Sequence, residues 1–274
     1  MALSFDQTKS ILSDLCVCPN KKLGQNFLVD PRVVEHSILW ANVTSKDFIV
    51  EVGPGCGTLT RALINTGAKI FAVEKDFSLY QYISKNFPIN ILHDDALASP
   101  VGNFHLQTSY KIVANLPYAI ASIWLDKILE LSQIPACMVL LVQKEAADRW
   151  LAPAGNKNFC ALGINLQAAY TLANKIPVSK RCFHPQPNVD STLIHLQKRP
   201  DFFLFPKPFK QFMREIFIHR RQQIGRCCRE NKAIFAEKFQ NYLHENRIDE
   251  KTRAEAIPLN HWINASKQIF SNLP

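Results

Sequence analysis

Phe48-Ile49-Val50-Glu51-Val52-Gly53-Pro54-Gly55-Cys56-Gly57-Thr58 is the stretch whose reading decides the architecture. A short apolar strand runs into a glycine-rich turn, and Thr58 to Asn65 reads as a helix with Gly67 just past its end. Glycine at such a turn lets the backbone bend sharply and approach a ligand closely. The spacing is G-x-G-x-G, not the G-x-G-x-x-G of dinucleotide enzymes. A dinucleotide needs the helix N-terminus to hold pyrophosphate, and a nucleoside cofactor such as S-adenosylmethionine carries none.

Working outward, strands and helices alternate. Upstream, a polar N-terminal segment gives way at Asp30-Pro31 to an N-cap with proline at the first helical position, opening a helix to about Trp40. Downstream, Lys69 to Val73 is a strand ending at Glu74, Phe77 to Asn86 a helix stopped by Pro88, and Ile89 to Leu92 a third strand. Tyr110 to Ala114 is a fourth, entering Asn115-Leu116-Pro117-Tyr118, and Ile123 to Leu131 is helical. Residues 136–142 form a nearly all-apolar fifth strand, the composition of the buried centre of a parallel sheet. Helices follow at Glu145 to Trp150 and Ala161 to Tyr170. Lys175 to Val178 and Ser191 to Leu196 read as two strands forming an antiparallel edge pair. The expectation is an α/β, doubly wound Rossmann-like sheet over residues 1–199.

From about Pro200 the pattern changes. Phe209, Phe212, Met213, Ile216, Phe217 and Ile224 fall at helical spacing, and Ile234 to Leu243 and Leu259 to Phe270 also read as helices. Residues 200–274 are therefore expected to be a small all-α domain. Between Lys198 and Lys232 stand ten Lys/Arg against three acids, so this segment holds +7 of the chain's formal +9. A concentrated basic segment on a near-neutral body suggests a polyanion-binding face.

No apolar run approaches the roughly 20 residues of a membrane span, and the N-terminus lacks the basic and apolar regions of a secretory signal. The eight cysteines include no C-x-x-C pair, so reduced thiols and no metal site are expected. These features point to a cytoplasmic protein, with no membrane association and a monomeric state expected.

The chemistry is expected at the carboxyl ends of the strands. A carboxylate at Glu74 can accept both ribose hydroxyls of a nucleoside, and Asp95, shortly after the third strand, can take the adenine amine, although neighbouring Asp94 competes for that role. At Asn115-Leu116-Pro117-Tyr118, the Asn115 side-chain oxygen and the Leu116 carbonyl can accept hydrogens from an exocyclic amine. That localises a lone pair otherwise delocalised into a purine ring. Pro117 supplies no N–H, so acceptors dominate, and Tyr118 can stack on an extruded base. Such an arrangement supplies orientation and electrostatic stabilisation without a strong base.

These residues resemble the ribosomal RNA adenine dimethyltransferase family, which comprises housekeeping enzymes of the small subunit and the related erythromycin-resistance methylases. The match runs from Lys21-Lys22-Leu23-Gly24-Gln25-Asn26-Phe27-Leu28 into the C-terminal region. It includes Gln143-Lys144-Glu145, the Phe183-to-Ser191 loop and Phe217-Ile218-His219-Arg220-Arg221. The resemblance implies that Asn26 and Leu28 cover S-adenosylmethionine, with Gly53, Glu74, Asp95 and Asn115 as its remaining contacts. Phe183 would help enclose the target adenine; from the residues alone it reads as core. Gly24 and Arg220-Arg221 favour the housekeeping branch, which dimethylates two adjacent adenosines near the 3′ end of small-subunit rRNA. Lys210, Arg214, Arg220 and Arg221 are then expected to contact RNA phosphates.

Three departures stand out. Ala119 and Ala121 replace residues of the usual Asn-Leu-Pro-Tyr-Asn-Ile-Ser, Gln222 stands where a lysine is usual, and Cys227-Cys228 stand where the family's basic helix usually ends in other residues. The alternatives are a large-subunit methylase conferring macrolide resistance and a non-catalytic rRNA- or DNA-binding factor. A dehydrogenase is disfavoured by the glycine spacing.

Overall fold

The computed structural model describes residues 3–20, 24–105, 108–231 and 235–270. Lys21, Lys22 and Leu23 of the N-terminal signature, Lys232 of the basic stretch and Ile234 lie outside the described residues.

The chain opens with α1 (Phe5–Asp14), β1 (Phe27–Leu28) and α2 (Pro31–Ala41), followed by β2 (Phe48–Val52), α3 (Thr58–Ile64), β3 (Lys69–Glu74), α4 (Phe77–Asn86) and β4 (Asn90–His93). Next come β5 (Lys111–Asn115), α5 (Ala121–Ile128), β6 (Cys137–Gln143), α6 (Lys144–Trp150) and α7 (Ala161–Ala169). β7 (Tyr170–Val178), β8 (Phe183–His184) and β9 (Ser191–Lys198) complete the strands. After them, the described residues form α8 (Lys207–Ile218), α9 (Ile224–Glu230), α10 (Ala236–Glu245) and α11 (Leu259–Phe270).

Seven strands form one sheet in the order β4-β3-β2-β5-β6-β9-β7. β4, β3, β2, β5 and β6 pair in parallel, and β9 runs antiparallel to β6. Side-chain bonds from Thr171 to the Gln197 carbonyl and between Asn174 and His195 show that β7 and β9 also run oppositely. β6 is buried along almost its whole length, as its unbroken apolar run requires. The chain winds outward from β2 in one direction and from β5 in the other, so the sheet's topological switch lies between them. A crevice opens at the strand carboxyl ends at such a point.

Two features were not anticipated. The N-terminal segment, read as merely polar, forms α1, where Ser4 and Gln7 make a reciprocal capping box. Leu3 and Leu12 pack with Phe27, Cys56 and Leu79 in a small cluster of their own. β1 and β8 form a separate two-stranded ladder, with Leu28 opposite Phe183.

The residues divide into two compact units, 3–147 with 171–198 and 148–170 with 199–270. The expected border at 199/200 thus assigned residues 148–170 to the wrong partner. The reason is packing: Phe159, Ile164 and Ala168 share a core with Phe209, Phe212, Phe239 and Trp262. α7 is buried on nearly every side, so its sequence lacks the polar face that would mark a border. The residues at helical spacing from Phe209 to Ile224 lie on two helices, α8 and α9. Arg220 and Arg221 therefore lie in the turn between helices. Cys227 and Cys228 are buried in the helical core, and the Cys227 thiol reaches the Gln222 side-chain oxygen at 3.8 Å.

Candidate active site

Where β2, β3 and β5 end, they surround a cavity of about 1050 Å³ including its mouth. Asn26, Leu28, Gly53, Glu74, Asp95, Asn115, Leu116, Pro117 and Tyr118 all line it. Every expected cofactor contact and the whole expected catalytic turn therefore line one cavity.

Glycine is required at two places where φ is positive, and at the second a close backbone approach adds to the requirement. Gly53 has φ +67°, and a β-carbon there would stand 3.4 Å from the Pro117 ring. Gly24, also at φ +67°, approaches the backbone of the catalytic turn so closely that a β-carbon would lie 3.1 Å from the Tyr118 nitrogen. The N-terminal signature thus braces the turn from outside, a role that its local sequence gave no sign of.

The turn itself is held from several sides. The Leu116 N–H donates to the Leu141 carbonyl at 3.1 Å, and the Ile120 N–H to the Pro117 carbonyl at 3.1 Å. These bonds brace the turn without side chains from Ala119 or Ala121. The Asn115 side-chain nitrogen donates to the Asn26 carbonyl at 3.0 Å, and Asn26 in turn donates to the Gly24 carbonyl at 3.1 Å. This chain sets which way the Asn115 amide faces. Its nitrogen is committed, so its oxygen is left as the acceptor. Among the described residues no donor reaches that oxygen or the Leu116 carbonyl. Tyr118 is fixed by a 2.5 Å hydrogen bond between its hydroxyl and that of Ser191. Burial pushes the phenol's pKa up, so it remains neutral and apolar-faced.

Glu74 is buried. Its two carboxyl oxygens accept backbone N–H bonds from Asp76 at 2.9 Å and Gly55 at 3.2 Å. Burial pushes its pKa up, opposed by those bonds. Each oxygen keeps a further lone pair for a hydroxyl donor. The Asp95 and Asp94 carboxylates are both in use. Asp95 accepts from Lys75 at 2.7 Å and from the Leu97 N–H at 2.8 Å; Asp94 accepts from Ser99 at 2.6 Å and from the Asp95 N–H at 2.8 Å. The Lys75 hydrogen bond holds the Asp95 carboxyl below its ordinary pKa.

Phe183 is not brought to the cavity. It is 1% exposed and packs in the sheet core with Leu28, Val33 and Val178. Its pairing in the β1–β8 ladder places it behind Tyr118, edge to face at 6.5 Å between centroids. The core reading of the residue is the one the structure follows. Lys210 is likewise misplaced as a phosphate contact: it is 3% exposed, on the buried face of α8. Arg214, Arg220 and Arg221 are exposed.

Three residues without an assigned role from sequence belong to the site. Ser191 orients Tyr118. Gln25, on the cavity wall, donates to Asp76 at 3.2 Å and accepts from the Asn20 N–H at 2.8 Å. Glu51, 2% exposed, also lines the cavity and accepts a 2.7 Å hydrogen bond from the Thr60 hydroxyl. Burial, with Glu74 nearby, pushes its pKa up to about 8. Its place two residues before Gly53 was the available signal.

The chain matches the family model described as ribosomal RNA adenine dimethylase over residues 18–270. It is 40% identical to ribosomal RNA small subunit methyltransferase A of Opitutus terrae over 96% of this chain and 97% of that protein. It is 30% identical to the protein of the same name from Chlamydia caviae, over 98% of each chain. Among solved structures, a dimethyladenosine transferase from Plasmodium falciparum superposes with a TM-score of 0.72 at 22% identity, covering 87% of this chain and 95% of that one. The 23S rRNA methyltransferase ErmE superposes at 0.64 and 20% identity, covering 89% and 99%. At these identities the two structures establish the fold alone.

Proposed function

The chain belongs to the ribosomal RNA adenine dimethylase family, and we propose that it dimethylates N6 of two adjacent adenosines near the 3′ end of small-subunit rRNA, using S-adenosylmethionine. The observation that carries this reading is the pair of uncommitted acceptors at the end of β5. Asn115 Oδ1 and the Leu116 carbonyl sit on the wall of a cavity whose other end carries a nucleoside-binding carboxylate, Glu74.

The donor set fits the cofactor. Gly53 keeps the floor of the cavity clear, Glu74 meets ribose hydroxyls, and Asp95, held by Lys75, faces the adenine end. Asn26 and Leu28 close the side nearest the catalytic turn. When bound, the cofactor supplies a methyl group on a cationic sulfur. The protein's part is then positional. Asn115 Oδ1 and the Leu116 carbonyl each take one amine hydrogen, which turns the nitrogen lone pair toward the methyl. Tyr118, clamped by Ser191, offers its ring to the base. No side-chain base is needed, because the methylated amine loses its proton readily.

The small-subunit target is supported by the names of the relatives, and Arg214, Arg220 and Arg221 are the exposed cations offered to rRNA. A monomeric state and a cytoplasmic site of action are part of the same reading. Among the described residues no helix is long and apolar enough to cross a membrane.

The test uses labelled cofactor and unmethylated small ribosomal subunits. The wild-type protein should yield dimethyladenosine at two neighbouring positions of the small-subunit rRNA. Asn115→Ala should lower turnover by about 10²-fold or more, the scale of losing one preorganised hydrogen-bonding group, while RNA affinity holds. Label mapping to large-subunit rRNA, or full turnover by the variant, would refute the reading.

A further inference from the structure

Gln143-Lys144-Glu145 is a family motif that the cofactor cavity and the catalytic turn leave without work. It begins where β6 ends. Side chains alternate between the two faces of a strand, and Cys137, Val139 and Leu141 of β6 pack in the core that holds Leu28, Val33 and Phe183. Gln143 takes the next place on that face. Two other polar residues share it. Asn115 follows Val113 of the same core by two residues and pairs with Leu141 across the β5–β6 ladder. Ser191 precedes Leu193 of that core by two residues and stands directly opposite Gln143 on β9. The Lys144 N–H donates to the Asp190 carbonyl at 3.1 Å, which pins the two strand ends together.

Asn115, Ser191 and Gln143 therefore stand as neighbours above one core. The first is the amine acceptor, and the second holds the Tyr118 hydroxyl at 2.5 Å. Ordinary strand rise and spacing put the backbones of Asn115 and Gln143 about 8 Å apart, a gap that two amide side chains and the edge of one base can bridge. The Gln143 side chain is half-buried, and among the described residues its amide makes no hydrogen bond. It is the uncommitted amide on the far side of Tyr118's anchor.

Reading adenine takes more than finding an amine. The ring nitrogen beside the amine is a bare acceptor in adenine, whereas guanine and uracil present a carbonyl with a ring N–H next to it. Asn115 Oδ1 and the Leu116 carbonyl are acceptors only, so they read the amine and leave the ring nitrogen unpaired. The second half of the pattern needs a donor, and a glutamine amide nitrogen is one.

We propose that Gln143 is a specificity-determining residue of the methylation site: its amide N–H donates to the ring nitrogen beside the amine of the target adenine while that base lies on Tyr118. The proposal rests on the adenine-methylation reading above and adds the donor that reading lacks.

The test takes the full chain and unmethylated small ribosomal subunits, with kcat/KM for subunits measured from pH 5 to 8. Gln143→Met keeps the length of the side chain without its donor and should lower kcat/KM by about tenfold, the scale of leaving one acceptor unpaired. Gln143→Glu sets a carboxylate against the ring nitrogen and should lower it by about 10²-fold at pH 8. Once protonated, that carboxyl carries an O–H that can donate. With an ordinary carboxyl pKa of about 4.3, the ratio of the Gln143→Glu rate to wild type should climb about tenfold between pH 8 and 5, while the Gln143→Met ratio stays flat. The titratable groups on neighbouring segments, Lys144, Glu145, Tyr118, His184 and Asp190, are the same in every variant and cancel in that ratio. S-adenosylhomocysteine affinity, read by calorimetry without RNA, should stay within about twofold of wild type in both variants, as expected for sites without shared partners. A merely structural role would lower both rates without the climb at low pH. Wild-type rates from Gln143→Met, or a Gln143→Glu ratio that stays flat with pH, would overturn the base contact alone. Failure of the wild type to label adenines of the subunits would instead overturn the proposed function.

Discussion

At the scale of single residues, Glu51 shows how far burial alters chemistry. Its carboxyl is removed from water and close to Glu74, so its pKa rises from an ordinary 4.5 to about 8, against the opposing pull of the Thr60 hydrogen bond. The sign of the consequence follows from proton counting. Between about pH 4.5 and 8 the folded protein holds a proton on Glu51 that the unfolded chain has released, so raising pH across this window favours unfolding. Thermal melts without cofactor should therefore fall as pH rises from 5 to 8, and Glu51→Gln should flatten much of that decline. Glu74, pushed the same way by burial, leaves a residual slope. A variant that melts with an undiminished pH dependence would show that Glu51 is charged in the fold. The positions of Glu74 and Asn115 at the cavity were legible in sequence because each ends a recognisable strand in the right order. The orientation of Asn115 was not, since it is set by the carbonyl of Asn26, 89 residues earlier in the chain.

At the scale of elements, α8 shows how one helix divides its cations. Phe209, Phe212, Met213 and Ile216 are buried, and Lys210 is buried among them. Lys210 stands three residues before Met213 and seven before Phe217, on the apolar stripe, and that periodicity was the signal that outweighed its charge. Arg214, one residue past Met213, points to solvent. Lys210→Ala should accordingly cost about 1–2 kcal/mol of stability through lost packing and leave the salt dependence of RNA binding alone. Arg214→Gln should do the reverse, shifting stability by no more than about 0.5 kcal/mol while flattening the salt slope. Denaturant unfolding and subunit binding measured across a salt series decide between them; equal effects from both would mean that the burial assignment of α8 is wrong. Other elements escaped the sequence for reasons of length. β1 and β8 have two residues each, too few for an alternating pattern, and exist only because each completes the other.

At the scale of the whole molecule, the cofactor cavity draws on residues from 24 to 120 and belongs wholly to the sheet unit. S-adenosylmethionine at 100 times its dissociation constant should stabilise the protein by about 2.7 kcal/mol. Added hydrogen-exchange protection should concentrate at residues 24–28, 53–59 and 115–118; protection centred on the helical unit would contradict the cavity assignment. The sequence by itself determined the parallel sheet, the glycine turn, the acid at the end of β3 and the acceptor-rich turn after β5. Each is written in consecutive residues, where strand period, backbone freedom and side-chain type act locally. Only the tertiary structure decided that Gly24 braces that turn, that Phe183 lies in the core, that residues 148–170 join the helices and that Gln143 stands opposite Ser191. These depend on which distant segments meet, and that is settled by the packing of the whole chain.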